Sequence, residues 1–152
     1  MSKSDNFVNY FLSHRNVTDE LAAKISKEDY DYKPTETSMS AKTLVTHMLT
    51  SFYQFASAAA KQEAKKLHDE NEEVDLQQLT KLYTDETVKV IQSMSDEDFD
   101  AMVDMTKMLG AELPAGQLLR IAMDHEINHK GNLFVYVRDL GHTDLPMFVS
   151  RG

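Results

Sequence analysis

Apolar residues in this chain recur at intervals of three and four rather than two, the spacing that gathers side chains on one face of a helix. A first run predicts a helix from about Ser4 to Ser26, with Phe7, Phe11, His14, Leu21, Ala22 and Ile25 on its inner stripe. A loop through Tyr30, Tyr32 and Pro34 follows, its tyrosines read as loop anchors. The segment TETSMSAKTL then offers Ser and Thr side chains that can cap the free amides of a second helix, from about Ser40 to His68. The inner stripe of that helix is Leu44, His47, Ser51, Phe55 and Ala58. Beyond the solvated connection DENEEVD, Leu76, Leu79, Tyr83, Thr87, Val90, Ile91 and Met94 mark a third helix. SDEDFD reads as a break, and Phe99 to Leu113 shows no period, so it is expected to be a loop with at most a short irregular piece. Pro114 suits the first position of a fourth helix running to Leu140, with Gly141 as its stop. Four amphipathic helices predict an all-α chain folded as a four-helix bundle, up-down-down-up or up-and-down.

Composition supports this picture and narrows the function. Only 5 Gly and 3 Pro interrupt 152 residues, a length suited to one domain over residues 1–152 with a single core. The net charge of −9 and pI near 5.0 oppose binding to a phosphate backbone, so no nucleic acid is expected as a partner. MSKSDNFVNYF has no basic start followed by an apolar run, and no stretch approaches the roughly 20 apolar residues of a membrane span. The expected setting is the cytoplasm, with no membrane partner. Cysteine is absent, which leaves His, Asp and Glu as the metal ligands available and removes any enzyme-borne thiol. The nine methionines read mainly as adaptable core filler, and Met39, Met48, Met94 and Met123 need no cofactor to explain them.

Chemistry concentrates in DHEINHKGNLFVYVRDLG. His125 and His129 are four residues apart and project from one side of a helix. Chance alone supplies about 0.2 such pairs in a chain of this composition, so spacing is weak evidence by itself. Position strengthens it: Leu118, Ala122, His125, His129, Leu133, Tyr136 and Leu140 fall in one sector of the helix. With His47 on the inner stripe of the second helix, a bundle can bring three imidazoles onto one divalent ion. The predicted metal ligands are therefore His47, His125 and His129, and zinc, nickel, manganese and iron all suit imidazole nitrogen. Glu126 is a candidate for proton transfer, although it lies about 100° from His125 around the helix. Asn132 lies near the ligand sector and is a candidate for contacting a ligand ring or substrate. His14 is a second catalytic candidate, to be weighed against an ordinary buried histidine bonded to a hydroxyl. His68 and His142 are expected to be solvated.

LVTHML and HEINHKGNLFVYVRDLG also resemble the DinB/YfiT-like family of metal-dependent enzymes. That family shows a His in its second helix and an H-x-x-x-H followed by a Gly-polar-Leu run. The resemblance extends from the Pro34 region to Arg138, Asp139, Leu140 and Gly141, and it implies a helical bundle with His47, His125 and His129 as metal ligands. Family members more often carry His-Arg-Gly-Gln where this chain has His129, Lys130, Gly131 and Asn132. Members with a known thiol-transfer role use low-molecular-weight thiols such as bacillithiol or mycothiol. The resemblance thus implies a metal-dependent transferase taking a small thiol and an electrophile.

Other readings stay open at this stage. A metal-dependent hydrolase would lower the pKa of bound water, and a non-catalytic metal or small-ligand binding module would show no turnover. A purely structural bundle would use the histidines as core polar groups. The segment from Phe99 to Leu113 is the expected lid over the site. Met123, Ile127 and Phe134 lie opposite the ligand stripe, an apolar strip that predicts a homodimer.

Overall fold

The computed structural model describes residues 2–151. In chain order its elements are α1 (Lys3–Ala23), a 3-10 turn at Lys27–Asp29, α2 (Ala41–Ala59), α3 (Leu76–Gln92), α4 (Asp96–Asp100), β1 (Met102–Met105), α5 (Thr106–Leu109), β2 (Ala111–Pro114) and α6 (Ala115–Asp139). The first three long helices start where short polar side chains cap free amides: Ser2 accepts from the Asp5 amide, Ser40 from Thr43 and Asp75 from Gln78. No helix among the described residues is long and apolar enough to cross a membrane.

Both α1 and α2 pack chiefly against α3 and α6, so the order around the bundle is α1, α3, α2, α6. The first two helices therefore stand diagonally, and sequential helices do not form a simple up-and-down ring. A single apolar cluster fills the centre, where the rings of Phe11 and Phe52 meet at 4.5 Å between centroids. Met48, Met94 and Met123 belong to it, with Met39 packed at its edge. The tyrosine anchors are also in place: Tyr30 accepts from the Leu76 amide at 3.1 Å, and Tyr32 donates to Asp139 at 2.6 Å.

Several expectations need correction. The chain is mostly helical but not all-α, because β1 and β2 form an antiparallel pair with Val103 opposite Leu113 and Asp104 opposite Glu112. Val103, Met105 and Leu113 are buried, while Met102 and Asp104 face out. Gly110, at φ 78°, ends the intervening turn of helix in the left-handed region that suits glycine. SDEDFD is not a break but α4, whose Ser95 and Asp98 cap each other's amides. Pro114 ends β2 and precedes α6, whose first amide, that of Ala115, donates to the Ala101 carbonyl at 2.9 Å.

The second helix stops at Ala59 rather than His68. Lys61 turns into the left-handed region at φ 56°, and the amides of Lys61 and Gln62 bond back to the carbonyls of Ala58 and Ser57. This is a closed helix terminus with lysine where glycine is usual. Gly141 closes α6 in the same way, as expected, with the His142 amide bonded to the Val137 carbonyl. The outward apolar strip on α6 is not formed either. Met123 is 1% exposed, and Ile127 and Phe134 are half-buried against the core.

Candidate metal centre

His47 stands on α2, and His125 and His129 one turn apart on α6, the two helices packed side by side. The stripe assigned to α2 lies off its deepest face: Leu44, Val45, Met48, Leu49 and Phe52 fill the core, whereas His47, Ser51, Phe55 and Ala58 occupy the rim beside α6. All three imidazoles are half-buried, and one ligand atom from each lies within 4.8 Å of the others. His47 Nε2 and His125 Nε2 are 3.0 Å apart, and the three rings meet edge to face at 4.5 to 5.2 Å between centroids.

The far nitrogens are occupied in a way that turns Nε2 inward. His129 Nδ1 lies 3.2 Å from Asn132 Oδ1, and His47 Nδ1 lies 3.3 Å from Ser51 Oγ. A ring donating through Nδ1–H keeps its lone pair on Nε2. Burial, followed by the charge of His129, lowers the pKa of His47. Burial, then His129 and His47, lowers that of His125. Neutral rings are the form that binds a metal. Nitrogens at about 2.0–2.1 Å from one ion sit roughly 3–3.4 Å apart in octahedral or tetrahedral arrangements, so the 3.0 Å pair fits a divalent ion.

The other candidates are placed differently. Glu126 faces away from the cluster and is 1% exposed. Its two oxygens accept from Arg15 Nε and a terminal Arg15 nitrogen, each at 2.9 Å, and from the Thr18 hydroxyl at 2.7 Å. Burial alone would raise its pKa, but the Arg15 charge and the bonds from Arg15 and Thr18 hold it below the ordinary value. His14 is also buried away from the three histidines. Its Nδ1 meets the Lys130 ammonium, and its ring stands edge-on to Tyr10. Lys130 itself is 2% exposed and also donates to the Phe148 carbonyl, tying the C-terminal segment to α6.

His68 and His142 are half-buried rather than solvated. His68, in the connection between α2 and α3, has its Nδ1 2.6 Å from the hydroxyl of Tyr83, which ties that connection to α3. Its neighbour Leu67 and the inward Tyr83 were the available sequence signals.

Two cavities of about 310 Å³ each flank His47. One is floored by His47 and His125 and walled by Phe55 and Ala58 of α2 and by Met105 and Met108 from the β1–α5 segment. The other is ringed by polar side chains, Lys42, Thr46, Thr50, His68 and Glu70, around His47. The segment expected to be a lid thus supplies part of the wall beside the histidines.

The DinB family profile matches residues 1–151. The chain belongs to the DinB family. Among similar proteins is the uncharacterized protein YjoA of Bacillus subtilis (strain 168), 50% identical over 153 residues and covering 99% of each chain. The crystal structure of a DinB-like protein from B. subtilis, YjoA, superimposes with a TM-score of 0.86 at 49% identity, over 96% of this chain and 99% of that one. A DinB-like protein from Bacillus cereus ATCC 10987 shares the fold at a TM-score of 0.78 and 17% identity, over 94% and 95% of the two chains. In this DinB-family chain, the departure at Lys130 falls at a buried cation rather than in the histidine cluster.

Proposed function

We propose that this chain is a metal-dependent transferase that brings a low-molecular-weight thiol and an electrophile together at His47, His125 and His129. The observation that carries the reading is the approach of three half-buried imidazoles from two packed helices, with no carboxylate in the group. A divalent ion on three imidazoles, whether zinc, nickel, manganese or iron, keeps open positions and favours the thiolate form of a bound thiol near neutral pH. The chain has no cysteine, so the sulfur would arrive with the cosubstrate.

Its own side chains take distinct parts. Asn132 and Ser51 orient the His129 and His47 rings, and burial keeps His47 and His125 in the neutral form. Phe55, Ala58, Met105 and Met108 give one side of the histidines an apolar wall. A hydrolytic reading needs a proton acceptor at the centre, and the neighbouring carboxylate, Glu126, is already saturated by Arg15 and Thr18. That favours a nucleophile brought by the cosubstrate.

Elemental analysis of untagged protein is expected to give about one divalent ion per chain, lost in both His47→Ala and His129→Ala. A panel of small thiols with electrophiles should then form product only with the loaded wild type. No metal after reconstitution overturns the centre. Stoichiometric metal without turnover for any pair would leave a binding module in place of a transferase.

A further inference from the structure

The two cavities at His47 differ in chemistry although they share a histidine and a size. On one side Lys42, His68 and Glu70 offer charge and hydrogen bonds. On the other, His47 and His125 are the sole titratable groups of the lining, and Phe55, Ala58, Met105 and Met108 supply the apolar walls. Ser51 and Gln54 add hydrogen-bonding groups but no charge to the lining, so a charged group held against these walls would lose water without gaining a counter-charge, whereas an apolar group would gain burial. Phe55 packs edge-on to His125 at 6.5 Å, so the apolar wall adjoins the centre itself. Met108 is 65% exposed at the mouth, an apolar side chain that a ligand would cover. Methionine is also the side chain best able to adjust to varied apolar shapes.

We propose that this cavity binds the alkyl or aryl portion of a small substrate whose polar head reaches His47 and His125. The head-group part rests on the metal-centre reading above; the apolar part rests on the cavity alone. At about 310 Å³ the space is at the small end of ligand pockets, which run roughly 300–1,000 Å³. It therefore suits one ring or a short chain. Met105 and Met108 act as specificity-determining residues, and the hairpin that carries them becomes the specificity wall of the site.

The probes are straight-chain hydroxamic acids from acetyl to octanoyl, titrated into metal-loaded protein with 13C-labelled methionine methyl groups. Straight-chain alcohols from butanol to octanol are titrated in parallel into metal-free protein. Affinity is expected to rise about fourfold per methylene until the cavity fills. Met105 and Met108 should be the methionine methyls that shift in both series. Met108→Asp, a change at an exposed position outside the core, should flatten the gain with chain length, and Ala58→Leu should end that gain at a shorter chain. If acetohydroxamate binds but longer chains bind no tighter, or if the shifts fall on other methionines, the inference is overturned. If alcohols shift Met105 and Met108 with the expected chain dependence while no hydroxamate shows a head-group contribution, the apolar site stands and the metal reading fails.

Discussion

Arg15 and Glu126 place two full charges where both side chains are 0% exposed. Arg15 lies over the rings of Phe11 and Phe52 at 4.7 and 5.6 Å, and it also donates to the Thr84 hydroxyl. Glu126→Ala would leave the guanidinium buried without its counter-charge, so urea unfolding should show a loss of about 3–5 kcal/mol. Arg15→Met combined with Glu126→Leu should recover most of that loss, because no charge remains to be solvated. A metal content unchanged in Glu126→Ala would mark the residue as structural. Asp19 supplies a test in pH. Burial pushes its pKa from 3.8 up to about 7, against the pull of Arg15, and its Oδ1 has no hydrogen-bond partner. Between those values the folded chain holds a proton that the unfolded chain has lost, so stability falls as pH rises through that window. Asp19→Asn removes this decline. Its melting temperature should exceed the wild type's by more at pH 8 than at pH 5, and an equal difference at both would contradict the assignment. Neither Arg15 nor Glu126 was legible as a core pair, because 111 positions separate them and each sits beside a more conspicuous histidine. The three histidines were legible because two fall on one stripe and the third has a helix of its own.

At the scale of elements, the boundaries that could be read are those with a chemical signature. Ser40 before α2 and Gly141 after α6 carry such signatures, and both act as expected. Lys61 carries none, since a lysine gives no notice of a left-handed turn, and the apolar pattern alone runs α2 on to His68 instead of Ala59. The hairpin escapes the pattern for another reason: strands of four residues offer too few alternations to stand out from a loop. Two substitutions test these local arguments. Lys61→Gly should relieve the left-handed backbone and stabilise the chain by about 1 kcal/mol. Gly131 sits exposed within α6, and a Cβ there would meet nothing within 4 Å. Gly131→Ala should thus add about 0.5–1 kcal/mol through helix propensity alone. Denaturant midpoints at constant slope would show both effects. Destabilisation by Gly131→Ala would mean that the position serves something other than the helix.

For the whole molecule, the histidine cluster joins α2 to α6, two helices far apart in sequence that pack side by side. An ion held by His47 from one and by His125 and His129 from the other would tie them together in the folded chain and find no such site in the unfolded one. Binding should therefore stabilise the fold by mass action, by about 2.7 kcal/mol at a free concentration 100 times Kd. For a chain of this size that corresponds to a rise of roughly 5–10 °C in melting temperature. Thermal unfolding with and without metal should show the rise in wild type, its reversal by chelator and its absence in His129→Ala. The same experiment has a defined dependence on pH. Protonation removes the lone pair that binds the ion, so the metal-induced rise must disappear on acidification. The pKa values of His47 and His125 are lowered from 6.5, by burial first, so the rise should persist below pH 6.5 before it is lost. An equal rise in His129→Ala would place the ion elsewhere in the molecule, and a rise that does not change between neutral and strongly acidic pH would show that imidazoles are not the ligands.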